Sequence, residues 1–294
     1  MKTFWIRTAS AIVYVLLFVG SMFSGVLLDN AKAGMFIFGA FLLFVTTGCS
    51  LEFVRMVRLQ GARPSQPLAY TYAIIGFLMM GLLPMLGYGW TIFVYMILFY
   101  CFFALSVIVQ LWNHSEQPFR EAAYTLLPLL YIAIPLALML TILQDRGPVV
   151  LLMVVAIVWI NDSGAYIGGS LLGKHKMWQR HSPGKTWEGT AFGVAVAVAF
   201  AVATGPAVSN IAWPHWLMLA LICSIIGTLG DIVESMLKRS VGVKDSGNIM
   251  PGHGGFLDRF DSLLIIMPFV YLYLTFTDHN NLFFIIIQLF SSNG

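Results

Sequence analysis

The sequence predicts an all-α, polytopic integral membrane protein. Hydrophobic residues make up 59% of the chain and charged residues only 10%, and the mean hydropathy is +0.84. Soluble domains are about 45–50% apolar and about 25% charged. Apolar runs of roughly 20 residues, enough for a helix to cross a bilayer core of about 30 Å, recur along the chain. These runs are too long and too uniformly apolar to be strands of a membrane barrel.

Nine apolar segments are predicted to cross the membrane. They cover residues 5–28, 34–54, 69–87, 90–112, 122–143, 148–172, 187–206, 213–237 and 262–277. The first span resembles a signal peptide, because Lys2 and Arg7 precede the apolar run of residues 9–28 and residues 31–33 resemble a cleavage site. Its apolar stretch is longer than the usual signal-peptide core of about 7–15 residues, so a retained span is predicted. The apolar stretch at residues 282–290 is too short to cross, and we expect it at the interface or against the bundle.

Lysine and arginine residues give the predicted orientation, because they accumulate on the cytoplasmic side of membrane proteins. With the N-terminus in the cytoplasm, only Lys32 and Arg146 of the 16 basic residues fall on the outer side. The others are Lys2, Arg7, Arg55, Arg58, Arg63, Arg120, Lys174, Lys176, Arg180, Lys185, Lys238, Arg239, Lys244 and Arg259. The sequence therefore predicts a protein of the inner (cytoplasmic) membrane whose N-terminus and polar loops are cytoplasmic.

The remaining composition narrows the function classes. Cys49, Cys101 and Cys223 lie in apolar runs and form no CxxC pair, which argues against a disulfide framework or a zinc site. The sequence has no recognisable internal repeat, which argues against a transporter built from inverted halves. The net charge of +3 indicates little about partners, and no nucleic acid partner is expected.

Polar clusters concentrate in the second half, so we divide the chain into a scaffold, residues 1–143, and a catalytic region, residues 144–294.

Asp162 is the first candidate site residue and lies inside the sixth predicted span. A carboxylate in a membrane span is costly and usually functional. A structural role in a buried hydrogen-bonded pair is the alternative. Glycines with the small-xxx-small spacing of close helix packing follow it, at Gly164, Gly168, Gly169 and Gly173.

Residues 181–189 precede the seventh predicted span and have the composition of an anion site. Ser182 is predicted to cap a helix that begins at the next residue, a proline, which favours the first helical turn. A helix N-terminus with the Lys185 ammonium and the Thr186 hydroxyl would bind phosphate. Glu188 is expected to pair with Lys185 or to face a metal ion. A positively charged loop with a capped helix is the simpler interpretation.

The end of the eighth predicted span carries Asp231, Glu234, Ser235 and Lys238, which fall on one face of a helix. Two acids, a hydroxyl and a base would therefore line one stripe. A simple ion pair between Glu234 and Lys238, one helical turn apart, is the alternative. That pair does not explain Asp231, which lies one turn deeper.

The segment of residues 244–256 is rich in glycine. Glycines let the backbone approach a ligand closely, so the amides of Gly254 and Gly255 are candidates for binding phosphate oxygens. His253 lies between glycines and lacks the partner spacing of a zinc site. We expect it to donate to phosphate.

Two acids, Asp258 and Asp261, lie one turn apart at the start of the last span. With Asp231 they would suit a hard cation with oxygen ligands, although acids at a helix start also stabilise the helix dipole. Carboxylates, lysines, arginines and glycine amides are the groups that phosphoryl or nucleotidyl transfer requires. The sequence contains neither the HExxH nor the GxSxG motif of other hydrolytic classes.

Residues 235–261 read S-M-L-K-R, four residues, K-D, six residues and then G-H-G-G-F-L-D-R-F-D. This pattern resembles that of the phosphatidate cytidylyltransferases, the CDP-diacylglycerol synthases. The upstream elements N-D-S-x-A-Y, S-P-x-K-T-x-E-G and G-D-x-x-E-S are similar to the same family. One conservative departure is Met250, where the family usually has another apolar residue. The match covers roughly residues 155–262, and the first half is similar only in spanning the membrane.

The resemblance implies an activity, cofactors and partners. The expected reaction takes CTP and phosphatidate, at the lipid bilayer, to CDP-diacylglycerol and pyrophosphate. A homodimer is implied, with contacts expected in the scaffold, as is a Mg²⁺ site near a second cation such as K⁺. The family's metal-binding aspartates fall on Asp231 and Asp258 of this sequence.

The candidate residues are assigned to three roles. Catalytic roles are expected for Asp162, Asp231, Lys238, Lys244, Asp258 and Arg259. Metal ligation is expected from Asp231, Glu234, Asp258 and Asp261. Substrate binding is expected from Ser182, Lys185, Thr186, Glu188, Ser235, Arg239, His253, Gly254 and Gly255. Anchoring of the membrane face is the alternative for Arg239 and Arg259.

Two other function classes stay open at this point. A CTP-dependent kinase acting on a polyprenol would release CDP rather than pyrophosphate, and would need a general base such as Asp162. An ion or phosphate transporter would place charges at mid-bilayer in matched halves. Here the charges cluster near one face and in one half of the chain.

Overall fold

The computed structural model describes residues 2–82, 91–113, 115–247, 249 and 254–278, with side chains except at residues 2–9, 82, 91–93 and 278. His253, Met250 and the apolar stretch at residues 282–290 lie outside the described residues, as do residues 83–87 of the third predicted span. The regular secondary structure of these residues is helical apart from two short strands, in agreement with the predicted all-α class.

The described residues form ten α-helices. They are α1 Lys2–Leu27, α2 Ala31–Leu59, α3 Gln66–Leu82, α4 Thr91–Ile108, α5 Gln110–Asn113, α6 Pro118–Leu127, α7 Ile134–Leu172, α8 Trp187–Val208, α9 Trp213–Ser240 and α10 Leu257–Asp278. A π-helical turn, Pro128–Ala133, joins α6 to α7. Strands β1, Lys176–Trp178, and β2, Ser182–Thr186, form an antiparallel hairpin between α7 and α8.

Seven helical segments of the described residues are long and apolar enough to cross a membrane. They are Ser10–Leu27, Ala31–Leu59, Val94–Asn113, Pro118–Leu172, Trp187–Val208, Trp213–Ser240 and Leu257–Thr277. The longest contains Gly147, whose φ of 79° and ψ of 171° interrupt the helix just before Pro148. Two predicted spans, residues 122–143 and 148–172, lie on either side of this kink. α3, with 17 residues, lies on the third predicted span. The protein is thus polytopic, and the count of nine crossings stays a prediction.

Glycines bring α7 and α8 into close contact. A side chain on Gly164 would approach Gly193 Cα to 3.1 Å, and one on Gly189 would approach Gly169 Cα to 2.8 Å. Small residues allow helix backbones to pack at this distance within a membrane. The predicted packing role of the α7 glycines is therefore confirmed, and the contact holds the β-hairpin beside the second half of α7.

An aromatic cluster joins the first and last helices. Phe18 of α1 is fully buried, and its ring centroid lies 5.9 Å from that of Phe260 on α10 and 6.1 Å from that of Phe38 on α2. The Trp159 ring of α7 lies 6.3 Å from Phe18. The scaffold helices α1 and α2 therefore pack directly on the helices that carry the candidate site.

Contacts between helix ends divide the bundle into two sides. At one side, Gln60 after α2 donates to the Ser240 hydroxyl at the end of α9 across 2.6 Å. At the other side, Arg146 donates to the Leu274 carbonyl near the end of α10 across 2.5 Å. The ends of α2, α7 and α9 and the starts of α8 and α10 consequently share one side, where the polar residues lie.

Candidate functional site

Asp231 of α9 occupies the junction between the hairpin, α7 and α9. The Lys185 ammonium of β2 lies 2.7 Å from Asp231 Oδ2 and also donates to the Thr228 carbonyl across 3.2 Å. The Ser235 hydroxyl donates to Asp231 Oδ1 across 3.4 Å. The predicted helical stripe is confirmed, and Lys185 joins it from a different element.

Lys238, the last residue of this stripe along α9, contacts two carboxylates. Its ammonium pairs with Glu234, one turn earlier on α9, and lies 2.7 Å from Asp258 Oδ1 on α10. The Glu234 side chain is fully buried, and the Asp258 side chain is 6% exposed. The simple Glu234–Lys238 pair is therefore present, but it forms part of a larger charge network that joins α9 to α10.

Three carboxylates, Asp231, Glu234 and Asp261, form the acidic cluster. One oxygen of each lies within 4.8 Å of the others. Glu234 Oε1 is buried and accepts no hydrogen bond from the described residues. Converging carboxylate oxygens are the donor set that hard divalent cations take, so these residues fit such an ion.

Asp258 lies beside the acidic cluster, and its carboxylate is occupied by its own chain. Oδ2 accepts the Gly255 amide at 2.8 Å, the Ser246 amide at 2.9 Å and the Ser246 hydroxyl at 3.0 Å, while Oδ1 faces Lys238. The carboxylates that converge are those of Asp231, Glu234 and Asp261, and the metal ligation expected of Asp258 stays a prediction. The Gly255 amide, expected to bind phosphate, donates to Asp258 instead.

Gly254 adopts a conformation that requires glycine. Its φ is +80°, in the left-handed region, and a side chain there would run into the Asp258 carboxylate. The conformation of the chain around Asp258 therefore explains part of the glycine-rich sequence before α10.

The start of α8 differs from the prediction. Ser182 does not cap a helix, because residues 182–186 form strand β2 and pair with β1. The helix begins at Trp187, and Thr186 is its N-cap, accepting the Gly189 amide on its hydroxyl across 3.2 Å. Threonine is a favourable N-cap, whereas hairpin pairing keeps the preceding residues extended.

Glu188 has different partners from those predicted. Its carboxylate accepts the amides of Lys174 and His175 at 3.1 Å, and His175 Nδ1 lies 2.5 Å from Glu188 Oε1. The expected pair with Lys185 is wrong, since Lys185 pairs with Asp231. Glu188 instead holds the segment between α7 and β1 against the start of α8.

Other candidate residues lie around this network. Asp162 of α7 is within 3.5 Å of the Asn161 side-chain nitrogen, which also donates to the Thr228 hydroxyl across 3.3 Å. Arg239 donates to the Val243 carbonyl across 3.0 Å and closes the turn after α9. Lys244 is exposed in the segment that follows.

Two cavities meet at Asp162 and Asp231. The larger, of about 470 Å³, lies between α1, α7, α9 and α10, and its polar lining consists of Ser10, Tyr14, Asp162, Asp231, Lys238, Asp245, Asp258, Arg259 and Asp261. The smaller, of about 370 Å³, lies between α7, the hairpin, α8 and α9, and its polar lining includes Ser182, Lys185, Thr186, Thr190 and Thr228. An anionic group in either cavity would face both cationic and carboxylate side chains.

Glu52 of α2 was not predicted from the sequence. It is buried, and its carboxylate accepts the amides of Phe256 and Leu257 and the hydroxyl of Ser246. A lone carboxylate inside an apolar run, by the same reasoning that singled out Asp162, was the available signal. The first half of the chain therefore contributes to the polar network.

The Cytidylyltransferase family model matches residues 5–277. The chain is also similar to curated proteins named phosphatidate cytidylyltransferase. The protein of Bacillus subtilis (strain 168) is 44% identical over 160 residues, which cover 52% of this chain and 58% of that protein. The protein of Staphylococcus saprophyticus is 41% identical over 157 residues, covering 53% and 60%. Each alignment thus spans less than two thirds of the relative's length. Because the family model covers nearly the whole sequence, the chain belongs to the Cytidylyltransferase family.

Proposed function

We propose that this protein is a membrane-bound nucleotidyltransferase that makes CDP-diacylglycerol and pyrophosphate from CTP and phosphatidate, in phospholipid biosynthesis. The observation that carries the proposal is the acidic cluster, flanked by Lys185 and Lys238, at the ends of membrane helices. Family membership and the names of the similar bacterial proteins support the same reaction.

The reaction brings two anions together. An oxygen of the phosphatidate phosphate forms a bond to the α-phosphorus of CTP, while the bond from that phosphorus to the pyrophosphate oxygen breaks and pyrophosphate leaves with the electron pair. A phosphate monoester is already an anion near neutral pH, so a strong base is not needed. Lys185, Lys238 and Arg259 would offset the repulsion, which is large where water is excluded.

The acidic cluster would hold Mg²⁺. A divalent cation bound there would neutralise charge on the phosphate oxygens as it develops. Asp258 would support the cluster through Lys238. On the strength of the family resemblance, we also propose a direct metal contact by Asp258 and a second cation such as K⁺. Asp162, where the cavities meet, would orient the reacting groups.

The two cavities suggest how the substrates are divided. Ser182, Lys185 and Thr186 line the smaller one, which would receive phosphate groups of the nucleotide. The larger cavity is lined on one side by Tyr14 and Val15 of α1, which is a membrane helix. A lipid headgroup would therefore reach this cavity from the bilayer, beside α1. We keep Ser235, Arg239, Glu188, His253 and Gly254 as candidates for substrate binding in this scheme, and Lys244 as a candidate for a catalytic role.

The location and assembly of the protein are part of the proposal. Basic residues cluster at the side of the bundle that carries the site, which supports a cytoplasmic site in the inner membrane of a bacterium. A homodimer with contacts in residues 1–143 is proposed from the family resemblance. Chemical cross-linking of the purified protein in lipid nanodiscs measures the assembly.

The test is turnover of CTP by the purified protein in detergent with defined lipids. With phosphatidate and Mg²⁺ we expect CDP-diacylglycerol and pyrophosphate in equal amounts, measured by mass spectrometry and by pyrophosphate release. Release of CDP with a polyprenol acceptor would instead identify a lipid kinase. Metal-dependent ion flux into liposomes without CTP turnover would identify a transporter.

A further inference from the structure

Glu52 is a buried carboxylate of α2 that fixes the start of α10. It is 4% exposed, and its two oxygens accept the Phe256 amide and the Leu257 amide, each at 3.0 Å. The first N–H groups of a helix have no partner inside the helix. An anionic acceptor at that position also interacts favourably with the helix dipole. Glu52 therefore acts as a helix cap supplied by another membrane helix.

The same carboxylate is linked to the candidate site through Ser246. The Ser246 hydroxyl lies 2.8 Å from Glu52 and 3.0 Å from Asp258 Oδ2. Its single proton can serve only one of these carboxylates at a time, so the hydroxyl is shared between them. Asp258 contacts Lys238, and Lys238 contacts Glu234. A continuous series of contacts thus runs from α2 to the acidic cluster.

The chain before α10 is fitted closely to this part of α2. A side chain on Gly247 or Gly255 would run into the Glu52 carboxylate. One turn earlier on α2, a side chain on Gly48 would run into the Phe256 ring. The backbone can therefore bring its amides to Glu52 only because glycines stand at these positions.

We infer that Glu52 is a positioning residue for the reaction: by holding Ser246 and the first turn of α10, it orients Asp258 and, through Asp258, Lys238 beside the acidic cluster. The inference rests on the proposed function and assigns a role to a residue outside the motifs that resemble the family. Glu52 acts through these residues and contacts no substrate.

The test compares Glu52→Gln with the wild-type protein. Because both oxygens of Glu52 face backbone donors, the glutamine NH₂ group must meet an N–H in either orientation. We expect kcat of the folded enzyme to fall roughly 10–100-fold, as is typical when a partner that orients a metal site is removed. Affinity for Mn²⁺, measured by electron paramagnetic resonance without substrate, should fall by a similar factor. Glu52→Asp retains the charge and should recover part of both.

Glu121→Gln is the matched control. Glu121 is also a buried glutamate of the first half, 2% exposed, and its Oε2 accepts the Arg63 amide at 2.5 Å. It holds the turn after α2 rather than the start of α10. We expect this variant to lose stability but to keep the kcat and the Mn²⁺ affinity of the wild type. Size-exclusion chromatography gives the folded fraction for each variant.

The inference is overturned if folded Glu52→Gln has the kcat and Mn²⁺ affinity of the wild type, whatever its yield. A failure of the proposed function is visible separately, as a wild-type protein that makes no CDP-diacylglycerol. In that case Mn²⁺ affinity decides the role of Glu52: a loss in Glu52→Gln but not in Glu121→Gln supports it, and equal affinities refute it.

Discussion

Lys238 connects the buried and the accessible charges of the site. Its ammonium contacts the fully buried Glu234 carboxylate and Asp258, while its own side chain is 12% exposed. Removing one partner of a buried ion pair typically costs about 3–5 kcal/mol, because the remaining charge is left without compensation. We therefore expect Lys238 to support the fold of the site as well as the proposed reaction. Lys238 and Asp258 line the larger cavity together with Asp231 and Asp261.

Asp231→Asn and Asp258→Asn are expected to have different effects. Asp231 belongs to the acidic cluster, so its variant should raise the Mg²⁺ concentration for half-maximal activity roughly 10–100-fold. Asp258 accepts buried donors of its own chain, so its variant should lower the free energy of unfolding by about 1–3 kcal/mol. Mg²⁺ titration of CDP-diacylglycerol formation and thermal unfolding in detergent measure the two effects. Equal shifts in the Mg²⁺ requirement would instead make Asp258 a direct ligand.

At the scale of the element, α9 and α8 show what local sequence can predict. Helical periodicity alone predicts the stripe of Asp231, Glu234, Ser235 and Lys238, and the contacts along it confirm that they share one face. The start of α8 was predicted four residues too early, because a serine before a proline is also a good local signal for a cap. Pairing of β2 with β1 overrides that signal, and such pairing is a contact between segments that no local pattern contains.

Gly193→Val is expected to separate α8 from α7. A Cβ atom on Gly193 would come within 2.5 Å of the Asn161 carbonyl and 2.9 Å of the Ala165 amide nitrogen, and backbone atoms cannot move aside as a side chain can. Overpacking of this kind usually costs about 1–3 kcal/mol. We expect a lower thermal midpoint and weaker CTP binding, because the hairpin that carries Lys185 would shift. Gly20→Ala in α1, where no atom lies within 4 Å of the added carbon, is the control and should match the wild type. An unchanged midpoint for Gly193→Val would contradict the close packing.

At the scale of the whole molecule, the sequence predicts the fold class and most residues of the polar network, but not the contacts between the two halves of the chain. Composition and the lengths of the apolar runs are global properties, so they suffice for a polytopic helical protein. The contact between Glu52 and Phe256 joins residues 204 positions apart in sequence. Neither residue has a local sequence pattern that indicates contact with the other. From the sequence, the first half was therefore predicted to have only a structural role, as the scaffold.

Because the helix ends form two distinct sides of the bundle, the orientation of the protein in the membrane can be tested. Contacts of Gln60 with Ser240 and of Arg146 with Leu274 separate the helix ends into two groups. The group that holds the site also holds most basic residues, and an excess of such residues is typical of cytoplasmic loops. Orientation therefore decides whether the proposed site can reach CTP, which is a cytosolic nucleotide.

Single cysteines introduced on the two sides should react differently with a membrane-impermeant thiol reagent. In a Cys101→Ala background, Lys176→Cys lies in the hairpin on the site side, and Lys32→Cys lies at the start of α2 on the other side; both positions are exposed. In intact cells we expect Lys32→Cys to be labelled and Lys176→Cys to be protected, with both labelled after lysis. Labelling of Lys176→Cys in intact cells would place the site outside the cytoplasm. It could then have no access to CTP, and the proposed reaction would have to be abandoned together with the orientation.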